Sequence, residues 1–255
     1  MFVNEAHHIP LHRAFSLSLL APLRRLGFTH FAAETLSAHA LGLGRKYPSV
    51  HSGYYIREPL FGELLREAMR LGYEITAYES ESLSTSCNRR DREQAMNLLA
   101  RVFKPHPKAR LFVHAGYSHI EKAGPSRWIN MAQWFRKLGG PDPLSVDQTL
   151  LRESSTLYDL QVAHPHTRYI RGRPDWTLLE GRRCFIAVPS VLSRLKQRPL
   201  LIQAHYEGEP CDAVPADQVI LEKSEPALAL AKGSFRVRAL GADGWEAGHT
   251  RLSLR

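Results

Sequence analysis

Between residues 2 and 150 short apolar runs alternate with longer stretches of helical period, and nothing else in the chain constrains its fold as strongly. Phe2-Val3 is an apolar stub running into Asn4-Glu5. Pro10 then opens a helix with Leu11, Phe15, Leu19, Leu20 and Leu23 near helical spacing, closed by Gly27. Phe28 to Glu34 reads as a second strand, Pro59 to Leu71 as a helix stopped at Gly72, and Tyr73 to Tyr78 as a third strand followed by Glu79. Asp91 to Phe103 follows as a helix and Ala109 to Val113 as a strand ending at His114. Ser126 to Leu138 is a further helix, and Leu144 to Val146 a last strand before Asp147. Strands separated by helices imply crossover connections, so the expected fold is α/β, a mostly parallel sheet flanked by helices.

The texture changes near residue 170. The tract Arg171-Gly-Arg-Pro-Asp-Trp176 is turn-like, and short β-type runs follow at Cys184–Val188, Leu200–His205, Val219–Leu221, Ala227–Leu230 and Phe235–Leu240. Gly241-Ala-Asp-Gly244 supplies a turn after the last of them. The organisation expected is an α/β domain over 1–170 and a small β-rich domain over 171–255.

Composition narrows the function classes. With 44% hydrophobic and 23% charged residues the chain can build a core and lies outside the disordered class. Its net charge of +9 comes from scattered basic residues, the densest being doublets such as Arg24-Arg25, Arg89-Arg90 and Arg182-Arg183, so no nucleic acid partner is expected. Three cysteines (Cys87, Cys184 and Cys211) without a C-x-x-C pair argue against a disulfide framework or a structural zinc site. No apolar run approaches the roughly 18 residues of a membrane span. The chain therefore reads as soluble and cytoplasmic as written. Its abrupt opening at Phe2-Val3 leaves the periplasm open if a signal precedes it. A homodimer is compatible with all of this.

Ligands of open parallel sheets bind beyond the carboxyl ends of the strands. Read to those ends, the strands deliver Glu5, His7 and His8, then Glu34, then Glu79, then His114 and His119, with Asp147 after the last. Each of these can transfer protons or bind metal. A glutamate on the apolar strand Phe31-Ala-Ala-Glu34 needs a partner or a purpose. One use of such a set is a histidine base with carboxylates orienting it; another is a divalent metal that activates water. No G-x-S-x-G elbow, G-x-G-x-x-G or P-loop pattern occurs, which counts against serine-hydrolase, dinucleotide and nucleotide-phosphate chemistry.

Three segments resemble the superfamily of the erythromycin esterases, the ChaN-like haem-uptake proteins and the Tiki/TraB proteins. Asn4-Glu-Ala-His-His8, with Pro10-x-His12-Arg13, is similar to the G-E-x-H or G-E-A-T-H opening of that group. Arg90-Asp-Arg-Glu-Gln-Ala-Met-Asn97 is similar to the R-D-x-x-M-A-x-N helix of the esterases, and Val113-His-Ala-Gly-Tyr-Ser-His119 to the group's A-H-N-x-H and A-G-x-x-H strand ends. Phe31-Ala-Ala-Glu34 matches the strand with a buried glutamate. The resemblance covers about residues 2 to 150 and implies Glu5, His8, Glu34, His114 and His119 as the working set. The histidine three after the glutamate is His8, the esterase spacing; two after is His7, the ChaN-like and Tiki spacing. Two positions depart from the pattern: Asn4 stands where the group has glycine, and Ala115 where the esterases have asparagine.

Three functions follow as expectations. The first is a hydrolase attacking an ester or amide of a small-molecule substrate with water activated by the His/Glu cluster. The second is a binding protein for haem or another tetrapyrrole, with His7 or His119 as axial ligand and Tyr117 beside the ring. A divalent metal held by Glu5, His7 and His119 belongs to the same class. The third is a catalytically silent domain, which the change at Asn4 motivates.

Overall fold

The structure, a computed structural model, describes residues 1–39, 44–81, 86–123, 128–149, 160–163, 169–172, 183–210, 212–222 and 226–254. Strands β1 (Phe2–Glu5), β2 (His30–Ala33) and β4 (Leu111–Gly116) are buried along their whole length, as central strands covered on both faces must be. With β3 (Glu74–Ala77) and β5 (Ser145–Val146) they form one parallel sheet of order β3-β2-β4-β1-β5.

Side chains alternate across this sheet and separate two cores. Val3, Phe31 and Phe112 pack beneath α1 (Pro10–Arg25) and α2 (Pro59–Arg70), through Leu20, Phe61, Leu64 and Leu65. Phe2, Ala32, Val113 and Ala115 pack on the other face, beneath α3 (Cys87–Leu98) and α4 (Met131–Lys137), through Leu98, Met131 and Phe135. The expected α/β architecture is therefore present, as three layers. Connections from β1 and β2 run one way over the first face and those from β3 and β4 the other way over the second. β2 and β4 are neighbours whose chains leave in opposite directions, so their carboxyl ends flank the crevice where such sheets bind ligands.

Boundaries differ from expectation in instructive places. His114 lies inside β4 rather than after it. α3 begins at Cys87, four residues before the expected Asp91, because its first turn is polar and carries no apolar period; a π-helical turn, Leu99–Phe103, follows it. α4 begins at Met131, and of the expected start at Ser126 residues 126 and 127 lie outside the described residues.

The second half is β-rich, as expected. A four-stranded antiparallel sheet has the order β10-β9-β12-β13, from Asp217–Leu221, Leu200–Tyr206, Gly233–Leu240 and Glu246–Leu254. β11 (Ala227–Ala231) pairs with β8 (Arg183–Ala187), and β6 (Leu160–Ala163) with β7 (Tyr169–Gly172). That last hairpin spans residue 170, so the expected domain boundary falls inside it, and the start of the expected turn at Arg171-Gly172 is strand. Leu200, Ile202, Phe235, Val237 and Leu228 form a third core. No helix of the described residues is long and apolar enough to cross a membrane.

Candidate active site

The centre of the carboxyl edge is Glu5, the last residue of β1, only 1% exposed. Burial opposes its ionisation, but hydrogen bonds from His114, His7 and Arg13 outweigh burial and hold its carboxyl well below the usual range. Arg13, one turn into α1, donates to both oxygens (Nε to Oε2 at 2.7 Å, a terminal nitrogen to Oε1 at 2.9 Å) and also to Glu58. Glu58 in turn caps the N-terminus of α2 through the amides of Leu60 and Phe61. His114 donates from Nε2 to Glu5 Oε2 at 3.0 Å, and its Nδ1 meets the Ser16 hydroxyl at 2.9 Å. An ionised carboxylate only accepts, which fixes these donors.

His7 completes the environment of Glu5. Its Nδ1 donates to Oε1 at 2.8 Å, and its ring stacks on Tyr55 at 3.8 Å and meets Tyr117 edge-on. Nε2 carries no hydrogen bond among the described residues, and the side chain remains 20% exposed. The ring edge packs on Gly116: a Cβ there would lie 2.5 Å from Nε2 and 2.8 Å from Glu34 Oε2. His7 Nε2 and Glu34 thus converge on one point of the crevice.

Across that point stands a second group. Glu34 follows β2 directly and accepts from the Gly116 amide and, at 2.7 Å, from Arg90. Arg90 also holds Glu79 through two hydrogen bonds. His119, in the 3-10 turn after β4, donates from Nδ1 to the fully buried Asp91 and turns Nε2 toward Glu34 Oε1 at 3.6 Å. Burial would lower its pKa, but the Asp91 hydrogen bond and the charges of Glu34 and Asp91 raise it above the ordinary histidine value. Asp91 is itself fixed by the Trp128 indole at 2.6 Å.

Comparisons with protein-family models, with curated proteins and with solved structures find no match to this chain.

Of the residues expected from sequence, Glu5, His7, Glu34, Glu79, His114 and His119 are brought to this edge. His8 is not in the cluster. The chain turns after β1, so the residue two beyond Glu5 folds back on it while the third points to solvent, where His8 Nδ1 meets the Tyr117 hydroxyl at 3.5 Å. Asp147 lies on the opposite side of β1, where Asn4 holds it at 2.7 Å. Asn4 also donates to the Tyr117 carbonyl and accepts from the Gln148 amide, so the residue that replaces the pattern's glycine staples β1 to β5 and the 3-10 turn. Ala115 points away from the site into the second core. Arg13, Glu58, Ser16, Asp91 and Trp128 complete the arrangement and were not assigned roles from sequence. Arg13 and Asp91 sit within matching segments, but they lie in helical turns rather than at strand ends.

A metal does not fit the set Glu5, His7 and His119. Glu5 spends its oxygens on Arg13, His7 and His114, His119 pairs with Asp91, and the three offer no donor trio within 4.8 Å among the described residues. Haem does not fit either. A Cβ on Gly116 would lie 2.4 Å from Cε1 and 2.5 Å from Nε2 of His7, so the chain packs too closely along this ring edge for a planar macrocycle, while His119 Nε2 faces Arg90 at 3.4 Å and Glu34.

Proposed function

We propose that this edge is the active site of a hydrolase that cleaves an ester or amide with water activated by His7. The observation that carries the reading is the Glu5–His7 pair. A buried, ionised carboxylate engages Nδ1, so the lone pair of Nε2 faces the crevice beside Glu34 and opposite His119, whose pKa is raised by Asp91 and Glu34. A histidine base facing a histidine whose pKa is raised, across one crevice, is an arrangement suited to proton transfer.

In this reading a water bound at Nε2 gives up a proton to His7 as its oxygen bonds to the carbonyl carbon. The carbonyl oxygen takes the negative charge and is met by His119 and Arg90. When the tetrahedral species collapses, the C–O or C–N bond breaks and the leaving atom takes the proton from His7. Glu5, Arg13 and His114 are positioning residues, while Tyr55 and Tyr117 hold the His7 ring. The motif resemblance to the erythromycin esterase group supports the same chemistry.

The test is a panel of small esters and amides with purified protein. His7→Ala and His119→Ala are expected to lower kcat by at least about a hundredfold, the usual contribution of a positioned acid or base, and His8→Ala to leave it within a factor of two. Equal turnover by His7→Ala would sink the proposal. Titration with haemin separates the binding-protein reading, since this site predicts no Soret shift that His7→Ala abolishes.

A further inference from the structure

The opposite, amino end of the same sheet carries a second cluster that the carboxyl-edge chemistry does not use. His30 and Glu74 are the first residues of the neighbouring strands β2 and β3 and stand directly opposite one another in the parallel register. His106 comes from the turn leading into β4, fixed at both backbone atoms by its amide to Val102 and by its carbonyl to the Ala109 amide. Nε2 of His30 lies 3.1 Å from Glu74 Oε2 and Nε2 of His106 lies 3.9 Å from it; one donor atom from each residue falls within 4.8 Å of the other two. The two imidazole rings are 5.2 Å apart.

His30 distinguishes this group from a surface ion pair. Its side chain is only 5% exposed, and its Nδ1 is engaged by the Thr29 hydroxyl at 2.8 Å. Nε2 is buried, and although it touches Glu74 the carboxylate is out of line for a hydrogen bond, so the atom has no hydrogen-bond partner among the described residues. A buried polar atom left in that state is costly. When Nδ1–H donates to the Thr29 hydroxyl, Nε2 is left with its lone pair free, the arrangement by which an outer partner orients a metal-ligating histidine.

We propose that His30, Glu74 and His106 form a binding site for a divalent late first-row transition ion of the zinc class, its coordination completed by water. Two imidazoles and one carboxylate select such an ion over calcium or magnesium, which take oxygen ligands. Ligands spaced for zinc stand a little over 3 Å apart, so the side chains close by about an ångström as the ion enters. Glu74 and His106 are each more than half exposed, which leaves a path for the ion and an open face for water. The bound ion ties β2 and β3 to the turn before β4, so its effect reads out in stability and is independent of the carboxyl-edge activity.

The test uses the full chain, treated with chelator and titrated with Zn2+ by calorimetry. One ion per chain is expected, with a rise in Tm on binding. His106→Ala and Glu74→Gln change exposed side chains and leave the core intact; each is expected to weaken binding by more than about tenfold, the loss already typical of an outer partner, and to abolish the rise in Tm. Thr29→Val is expected to weaken binding in the same range. His249→Ala and His7→Ala, at histidines outside this group, are expected to bind as the parent does. Co2+ in place of Zn2+ supplies a second readout, a visible ligand-field spectrum that His106→Ala removes. Absence of binding by the parent, or equal affinity in His106→Ala, overturns the proposal.

Discussion

Arg13 and Glu5 are 2% and 1% exposed, and neither charge would be stable at that depth alone. Their two-point contact, closed by His114 and His7 on the carboxylate and by Glu58 on the guanidinium, offsets the desolvation of both. Removing one partner strands the other. Arg13→Met, which keeps the bulk of the side chain over Phe61, is expected to cost about 3–5 kcal/mol, the usual result of breaking a buried pair. Arg13→Lys is expected to recover only part of that, since an ammonium cannot span both oxygens. Denaturant unfolding of the three proteins at pH 7 measures this. The sign with pH follows from the depressed Glu5 pKa: the contribution is present above the unfolded carboxyl value and is lost as pH falls below it, so parent and Arg13→Met should converge in acid. Glu5 was legible in the sequence because a glutamate at the end of an apolar strand has few bland explanations. Arg13 was not, because one arginine on an amphipathic helix reads as solvated until the helix is seen to turn that face onto β1.

At the scale of elements, the strand ends supply Glu5, Glu34 and His119, but the first turn of α3 decides how they are used. The turn presents Arg90 and Asp91 to the crevice, and Ile129 and Trp128 are tied to it through Asn88 and Asp91. Apolar periodicity finds the part of α3 that faces the core, at Ala95 and Leu98, and is blind to the polar turn before it. The helix expected from periodicity therefore starts at Asp91 and leaves Cys87–Arg90, the turn that carries Arg90, outside it. Asp91→Asn tests what the turn does. An amide oxygen still accepts from Trp128, but the negative charge at His119 Nδ1 is gone. The His119 pKa is expected to fall toward or below the ordinary histidine value, which NMR titration of its ring reads directly. Because the parent value is raised, the stabilisation from this pair is full below the unfolded pKa near 6.5 and disappears as pH rises through the folded value. The deficit of Asp91→Asn should thus be largest in mildly acidic buffer and shrink toward alkaline pH. An unmoved His119 titration would show that Asp91 does not set it.

Over the whole molecule, the β-rich half is joined to the α/β half by more than chain connectivity. Residues 48–50 pair with 212–214 through Val50 N to Asp212 O and Val214 N to Pro48 O, and Val214 enters the α/β core against Gly62, where a Cβ would meet it at 2.7 Å. Arg66 of α2 reaches across to both oxygens of Glu209. None of this was readable from the sequence, where residues 208–214 look like a loop and β13, half exposed on the sheet's edge, lacks the apolar alternation that marked β12. The seam carries a titratable fault in His205 of β9. It is 4% exposed, neither ring nitrogen has a hydrogen-bond partner among the described residues, and Arg236 stands opposite it in the neighbouring strand. Burial, then the charges of Arg238, Arg66 and Arg236, push its pKa down to about 4. His12, buried with Nδ1 accepting from the Ala6 amide, is likewise lowered to about 4, chiefly by burial. From pH 6.5 down to about 4 the unfolded chain takes up a proton at each histidine that the folded protein refuses, so stability falls with falling pH across that window. Each histidine contributes up to about 1.4 kcal/mol per pH unit. His205→Leu removes one of the two and relieves two unsatisfied buried nitrogens. It is expected to gain about 1 kcal/mol at pH 7 and to show a visibly shallower loss of stability between pH 6.5 and 4.5, read by denaturant melts in matched buffers. A variant whose decline runs parallel to the parent's would place the acid sensitivity elsewhere in the molecule.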